Sequence, residues 1–262
     1  GEQRLQHGRW CEKQAAIGHA AAYLAVSANT AKDLLKFYPD AAAKPLHVMH
    51  NGVSRRFGPA GATRIADFRS KFALSKPYYM FVGPRESYKN FRLLLEAHAM
   101  LPDAESYYIL STGGETLEAE FTAYSSANAV VLSGRLSEDE LISAYSGAVA
   151  LVYPSRYEGF GLPLLEAMAC GCPVIASNAP AMVEVAGEAA MLSPCEDASS
   201  FAAAMRRMQD PQVRADYVRK GFARSTAFSW QHSASVLVKA VCGVVGGGMG
   251  MDTITMEKRK AG

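Results

Sequence analysis

The chain contains no Cys-x-x-Cys pair, no Asp-x-Asp triplet and no apolar run long enough to cross a bilayer. The first two absences remove the simplest sequence support for a thiolate-held metal and for a carboxylate-held divalent cation. The third, with no signal-peptide pattern at the start, makes the reading a cytoplasmic one. No G-x-x-x-x-G-K-[ST] phosphate loop, H-E-x-x-H zinc helix or G-x-S-x-G nucleophile elbow occurs either. The run Gly243 to Gly250 offers no register of G-x-G-x-x-G and no strand and helix after it, so a dinucleotide fingerprint is missing too. A net charge of +2 is too small to argue for nucleic acid or another general polyanion as partner. The five cysteines, Cys11, Cys170, Cys172, Cys195 and Cys242, are odd in number and scattered, and read as reduced and mostly buried. Cys170 and Cys172 flank a glycine beside a helix end and read as small packing residues.

What the chain does have is 49% hydrophobic content over 262 residues, enough for one large or two small domains with a real core. It also has one stretch around which the rest is organised, Ser155 to Val174. An apolar run, Ala148 to Tyr153, leads into it and Pro154 closes that run. Gly159 and Gly161 permit a sharp turn and close backbone approach to a ligand. Pro163 suits the first position of a helix, and Gly171 with Pro173 ends that helix. The free amides at the helix start form an anion site. Glu158 lies just before the loop, and Glu166 is expected in the first turn. Carboxylates repel a bare phosphate but accept hydrogen bonds from hydroxyls, so the arrangement suits a ligand with both phosphate and sugar alcohols.

Toward the N-terminus, Arg4 to Ala22 reads as a helix and Tyr23 to Val26 as a short strand. Ser27 caps a helix through Phe37, and Leu46 to His50 is a strand before the turn Asn51-Gly52. A linker and a short helix fill Arg55 to Lys76. From Tyr78 the pattern alternates. Strands are expected at Tyr78 to Val82, Tyr107 to Ser111, Ala129 to Leu132, Val149 to Tyr153, Val174 to Ser177 and Ala190 to Leu192. Helices separate them at Asn90 to Met100, Glu115 to Ser125, Glu138 to Ser146, Pro163 to Cys170 and Ala181 to Val185. Such alternation predicts an α/β fold, a parallel sheet with helices on both faces. Helices at Ser199 to Met208 and Pro211 to Arg224 close it, and Phe228 and Trp230 are expected to anchor one more. The glycine-rich end reads as a flexible tail. The expected divisions are 1–54, 55–228, 229–242 and 243–262.

In such folds ligands sit beyond the carboxyl ends of the strands, and Gly83, Gly113, Gly134 and Gly159 each follow a strand. The loop after the first sheet strand carries Arg85 and Lys89, close enough along the chain to converge on one anion, with Asn90 placed to cap the next helix. An isolated pair of this kind reads as solvated charge; sharing a rim with the glycine loop favours a diphosphate clamp. Gly134-Arg135-Leu136 either frames a base or simply ends a strand. Glu184 and Glu188 read as surface charges, His98 as structural, and His50 stays open.

The spacing Glu158-x7-Glu166, filled by Gly-Phe-Gly-Leu-Pro-Leu-Leu, resembles the E-x7-E motif of retaining GT-B glycosyltransferases, specifically glycosyltransferase family 4. Val82-Gly83 with Lys89-Asn90, Leu132-Ser133-Gly134, Pro154-Ser155, Gly171-Cys-Pro-Val-Ile175 and Phe228-Ser-Trp230 follow in the order and rough spacing of that family. The resemblance implies a GT-B type Rossmann-like donor domain preceded by a remnant of an N-terminal domain. It implies transfer of a sugar from a GDP- or UDP-linked donor, with retention at the anomeric carbon, in polysaccharide or glycolipid synthesis. The form Tyr88-Lys-Asn-Phe91 is similar to bacterial polysaccharide mannosyl- or related transferases.

By the same resemblance Glu166 binds the ribose hydroxyls and Glu158 contacts the transferred sugar. The segment Gly159, Phe160, Gly161, Leu162 holds sugar and phosphate oxygens through its amides. Gly83, Arg85 and Lys89 line the diphosphate, and Gly134, Arg135 and Leu136 frame the base. Glu158, Lys89 and Arg85 are the implied catalytic residues. Arg85 stands two residues after Gly83, where the family more often has it directly after the glycine, so Lys89 is the firmer match. No metal and no resident cofactor are implied, because fixed cations and amides aimed at the departing diphosphate stabilise the transition state.

Family members carry an acceptor-binding domain ahead of the donor domain. Here only something like its last helix, strand and helix, Arg4 to Phe37, is found, without that domain's glycine loop and catalytic histidine. The implied partners are a nucleotide-sugar donor, a saccharide or lipid-linked acceptor, and further polypeptide that supplies the missing wall. A lipid-linked acceptor would bring the protein to the inner face of the membrane. The alternative reading is a nucleotide-sugar binding module without transferase activity of its own. A dinucleotide oxidoreductase shares the fold class but lacks the fingerprint.

Overall fold

The computed structural model describes residues 12–85, 87–114, 121 and 129–246. Residues 12–19 form helix α1. Strands β1 (Tyr23–Ala25) and β2 (Leu46–Val48) pair in parallel across helix α2 (Ala28–Phe37). Ser27 caps α2 as its residue type predicts, its hydroxyl accepting from the Thr30 amide at 3.0 Å. After α3 (Ala62–Lys71) come β3 (Tyr78–Val82), α4 (Phe91–Ala99), β4 (Tyr108–Thr112) and β5 (Val130–Gly134). The next units are α5 (Glu138–Gly147) with β6 (Ala150–Tyr153), α6 (Leu162–Ala169) with β7 (Val174–Ser177), and α7 (Pro180–Ala186) with β8 (Ala190–Ser193). Helices α8 (Ala198–Arg207), α9 (Pro211–Ser225) and α10 (Trp230–Gly246) close the order.

Among the described residues β3 to β8 form one parallel sheet in the order β5-β4-β3-β6-β7-β8. The strands are buried on both faces, which is why they read as continuous apolar runs. Tyr78, Met80, Leu110, Leu151 and Val174 pack on one side with α3, α5, α6 and α7. Tyr79, Phe81, Ile109, Val152 and Ile175 pack on the other with α4 and α8. The α/β fold with helices on both faces is therefore the one the alternation predicts. The strand order carries the functional consequence. It runs outward in one direction from β3 and in the other from β6, so the loops leaving these two neighbours part and open a crevice at the carboxyl ends.

Four expectations need correction. The C-terminal helix does not stop before Gly243; α10 runs to Gly246, since one internal glycine among valines costs only about 1 kcal/mol and propagation tolerates it. Trp230 does not anchor α10 by burial and is 49% exposed. The helix start is held by backbone instead: a Cβ on Gly52 would lie 2.2 Å from the Trp230 nitrogen, and Phe228 is the buried aromatic. Asn90 sits at the N-cap position of α4 with φ of +59° but makes no side-chain cap bond. Of the four described cysteines only half are buried: Cys170 and Cys172 are, Cys195 is half-buried and Cys242 exposed. The helix expected over Glu115 to Ser125 falls, apart from Phe121, outside the described residues, as do Cys11 and positions 247–262. No helix among the described residues is long and apolar enough to cross a membrane.

Candidate functional site

The crevice at the β3/β6 switch point is where the two loops singled out by sequence meet. The loop after β3 delivers Lys89 and the loop after β6 delivers Glu158, with Lys89 Nζ 2.7 Å from Glu158 Oε1. Both side chains are nearly enclosed, at 11% and 12% exposure. Lys89 Nζ also donates to the phenol oxygen of Tyr153, the last residue of β6. Burial, and after it the negative charge of Glu158, holds that phenol far above its ordinary range, so it stays protonated. The loops are pinned to each other by one backbone bond and by the Asn90 side chain. The Arg156 amide donates to the Tyr88 carbonyl at 2.7 Å, and Asn90 Nδ2 donates to the carbonyls of Pro154 at 3.2 Å and Cys195 at 2.7 Å. Asn90 is thus a loop tie rather than a helix cap.

Arg85 is buried and turned toward β4. Its guanidinium donates to the Gly113 carbonyl at 2.6 Å and to the Ser111 hydroxyl at 3.3 Å. The two cations grouped by closeness in sequence are therefore held by different parts of the rim. Gly83 leaves room for the Lys89 stem, since a Cβ there would lie 3.4 Å from Lys89 Cε.

The glycine loop is built from two directions. Gly161 has φ of +100°, the left-handed region open to glycine, and starts α6 with Leu162 as first residue and Pro163 behind it. The Gly159 carbonyl accepts from the hydroxyls of Ser27 at 2.6 Å and Thr30 at 3.0 Å, which fasten the loop to α2. Phe160 turns its ring into the core against His50 and Phe228, so only its backbone can face a ligand. Glu166 is not in the first turn, which carries no acidic residue, but one turn further in. It accepts from the Tyr145 hydroxyl at 3.0 Å. Burial raises its pKa, the Tyr145 bond lowers it, and the nearby charge of Glu138 raises it again, with a net upward shift. Glu138 stands two residues past Leu136, so the segment Gly134, Arg135, Leu136 approaches the same wall. Gly134 has φ of +64° and accepts from the Gly113 amide, Arg135 is exposed and Leu136 packs against the core. The arrangement offers helix-start amides and an enclosed ammonium for anionic oxygens, and two held carboxylates for hydroxyls.

The sequence model described as "Glycosyl transferases group 1" matches residues 63–224, the α3 to α9 body with the whole crevice. The chain belongs to the glycosyl transferases group 1 family. The O-antigen chain mannosyltransferase B of Escherichia coli is 32% identical over 171 residues, covering 62% of this chain and 45% of that protein. Sucrose-phosphate synthase from Thermosynechococcus elongatus superposes with a TM-score of 0.76 at 26% identity, over 92% of this chain and 62% of that one. Anabaena HepE, solved with UDP and glucose, superposes with a TM-score of 0.77 at 18% identity over 87% and 65% of the two chains, a likeness of fold. The chain spans less than two thirds of the length of each of these three.

In this group 1 glycosyl transferase chain several site-supporting residues escaped the sequence reading. Tyr145 and Tyr153 each touch one carboxylate or its partner, and a tyrosine ending an apolar strand gave no reason to single it out. Glu184 is not a surface charge. Its carboxylate accepts from the Ala28 amide at 2.8 Å and the Asn29 amide at 3.2 Å, and lies 2.7 Å from His50 Nε2. Burial pushes the Glu184 carboxyl up, but the bonds from Ala28, His50 and Asn29 outweigh it and hold the pKa below its ordinary value. His50 thus belongs to the joint between α2 and α7. His98 is buried with its ring bonded to the Tyr107 carbonyl at 3.2 Å, the structural role expected of it.

Proposed function

We propose that the crevice binds a nucleotide diphosphate sugar and that the chain is the donor-binding part of a retaining, family 4 glycosyltransferase. The observation that carries this is the enclosed Lys89 and Glu158 pair, 2.7 Å apart, at the switch point beside the Gly161 helix start. Lys89 and the amides of Gly161 and Leu162 meet the diphosphate, Glu158 meets the hydroxyls of the transferred sugar, and Glu166 meets the ribose. Charge grows on the leaving oxygen as the anomeric bond breaks, so an ammonium already fixed beside it favours the transition state over the ground state. The residues supply this without a metal or a resident cofactor. Arg85 acts from the β4 side, through the loop at Gly113.

The O-antigen chain mannosyltransferase named among the relatives supports mannose as the sugar and a polysaccharide chain as the acceptor. A glycolipid acceptor and GDP or UDP as the carrier belong to the same proposal. We read the elements up to β2 as the end of an acceptor domain and α10 as a helix that lies against it. Leu24, Leu35, Phe37 and Val48 on the first, and Leu237, Val238 and Val241 on the second, are exposed apolar side chains, which supports a further polypeptide wall. A lipid-linked acceptor would place the complex at the inner membrane face.

A thermal-shift panel of GDP-, UDP- and ADP-sugars on the chain and its Glu166→Ala variant tests the reading. A ligand at a hundred times its Kd stabilises by about 2.7 kcal/mol, and Glu166→Ala abolishes the shift. No shift with any of them at millimolar concentration refutes the donor site. Release of nucleotide diphosphate on adding an acceptor separates a transferase from a binding module.

A further inference from the structure

The crevice has a third member that neither the motif spacing nor its two carboxylates accounts for. Tyr153 is the last residue of β6, 1% exposed, with its phenol oxygen accepting a hydrogen bond from Lys89 and its ring centroid 4.6 Å from the same nitrogen. A lysine head rides on a long flexible stem and is a point charge with three donors. Tyr153 and Glu158 take two of them from fixed positions, one on a core strand and one on the glycine loop. That leaves the third aimed by the first two. Tyr145, eight residues earlier on α5, plays a parallel part for the other carboxylate by donating to Glu166.

We propose that Tyr153 is a positioning residue, which fixes the Lys89 ammonium in the direction of the second phosphate of a nucleoside diphosphate. It acts through Lys89 and touches no ligand itself, and the proposal rests on the donor-site reading above. A tyrosine on a strand is rigid where a loop residue is not, so the alignment of Lys89 is set by the sheet and not by the loop that carries it. The phenol, protonated because it is buried beside a carboxylate, adds no charge of its own to repel the phosphate.

The test is isothermal titration of the chain with GDP and GMP, and with UDP and UMP. Wild type, Tyr153→Phe and Tyr145→Phe are compared. Wild type prefers the diphosphate. Tyr153→Phe weakens diphosphate binding about tenfold, the worth of one hydrogen bond to a charged group, and leaves the monophosphate within about twofold, so the preference collapses. Tyr145→Phe, which touches Glu166 instead, weakens both ligands together and keeps the preference. The unchanged monophosphate affinity shows that Tyr153→Phe is folded. An undiminished preference in Tyr153→Phe overturns the proposal and leaves the donor site standing. Equal losses for both ligands overturn it too, because Tyr153 then supports the fold alone. A wild-type chain with no preference removes the role of Lys89 on which Tyr153 depends, and one that binds neither ligand overturns the donor site along with it.

Discussion

Replacing Lys89 by methionine keeps most of the apolar stem and strips the ammonium, and the consequence follows from how little of the pair reaches solvent. With Lys89 at 11% and Glu158 at 12% side-chain exposure, the carboxylate left behind has lost its counter-charge inside the crevice and gains little hydration in return. Breaking a buried pair from one side costs about 3 kcal/mol, which at this chain length lowers Tm by about 6 to 12 °C. The double variant Lys89→Met with Glu158→Gln puts a neutral, hydrogen-bonding pair in the same space and recovers most of that loss. Urea denaturation of wild type, both single variants and the double variant at neutral pH measures the cycle, with the m value checking that the unfolded state is unchanged. If Lys89→Met loses less than about 1 kcal/mol, the pair behaves as a solvated surface bridge and the enclosed-crevice argument is wrong. Losses that simply add in the double variant would show that the two charges do not depend on each other.

Three further outcomes are expected. The Glu166 carboxyl is pushed up by burial, so nucleotide binding through its ionised form falls as pH drops, with a midpoint above the ordinary 4.5; Tyr145→Phe removes the one bond that lowers it and moves the midpoint higher. A calorimetric pH series with a midpoint at or below 4.5 counts against this. Glu184 is shifted the other way, so its stabilisation is complete above the unfolded-state pKa and disappears as pH falls through the lower folded value. Glu184→Ala therefore costs about 1 to 2 kcal/mol at pH 7, as a lost helix cap does, and the gap from wild type closes in acid. Gly52→Ala places a Cβ 2.2 Å from the Trp230 nitrogen and 2.6 Å from the Ser229 carbonyl carbon, atoms that cannot swing aside. Gly161→Ala meets the Met182 methyl at 2.5 Å, which can, and pays mainly for its φ of +100°. Gly52→Ala is thus the more destabilising of the two by thermal melt, and equal or reversed losses contradict it.

Much of the body from α3 to α9 was legible because its signals are local. Strands β3 and β7 fall where the apolar runs place them, to the residue, and Ser27 caps α2 because a β-region serine before a helix has few other options. Glu158, Gly161 and Glu166 were marked by spacing alone. Misreadings occurred where a side chain's partner lies far along the chain. Glu184 looked solvated because its partners, Ala28, Asn29 and His50, are more than a hundred residues away. Asn90 looked like a cap because a cap is the nearest use for an asparagine before a helix, while its partners are Pro154 and Cys195. Arg85 and Lys89 are four residues apart, and that spacing does not say what holds each of them, the Gly113 carbonyl for Arg85 and Glu158 with Tyr153 for Lys89.

The sequence by itself determined the layered α/β class, the glycine turn into α6 and the identity of the groups available for chemistry, since each depends on residues within one turn or one strand of each other. Only the tertiary structure decided which of those groups meet. Lys89 and Glu158 are 69 residues apart and touch because β3 and β6 are neighbours in the sheet, a pairing made by non-local hydrogen bonds and by burial on both faces. The same pairing puts Tyr153 under Lys89, and α5 packed on α6 puts Tyr145 against Glu166. Strand order is a property of the whole sheet, and no window of sequence contains it.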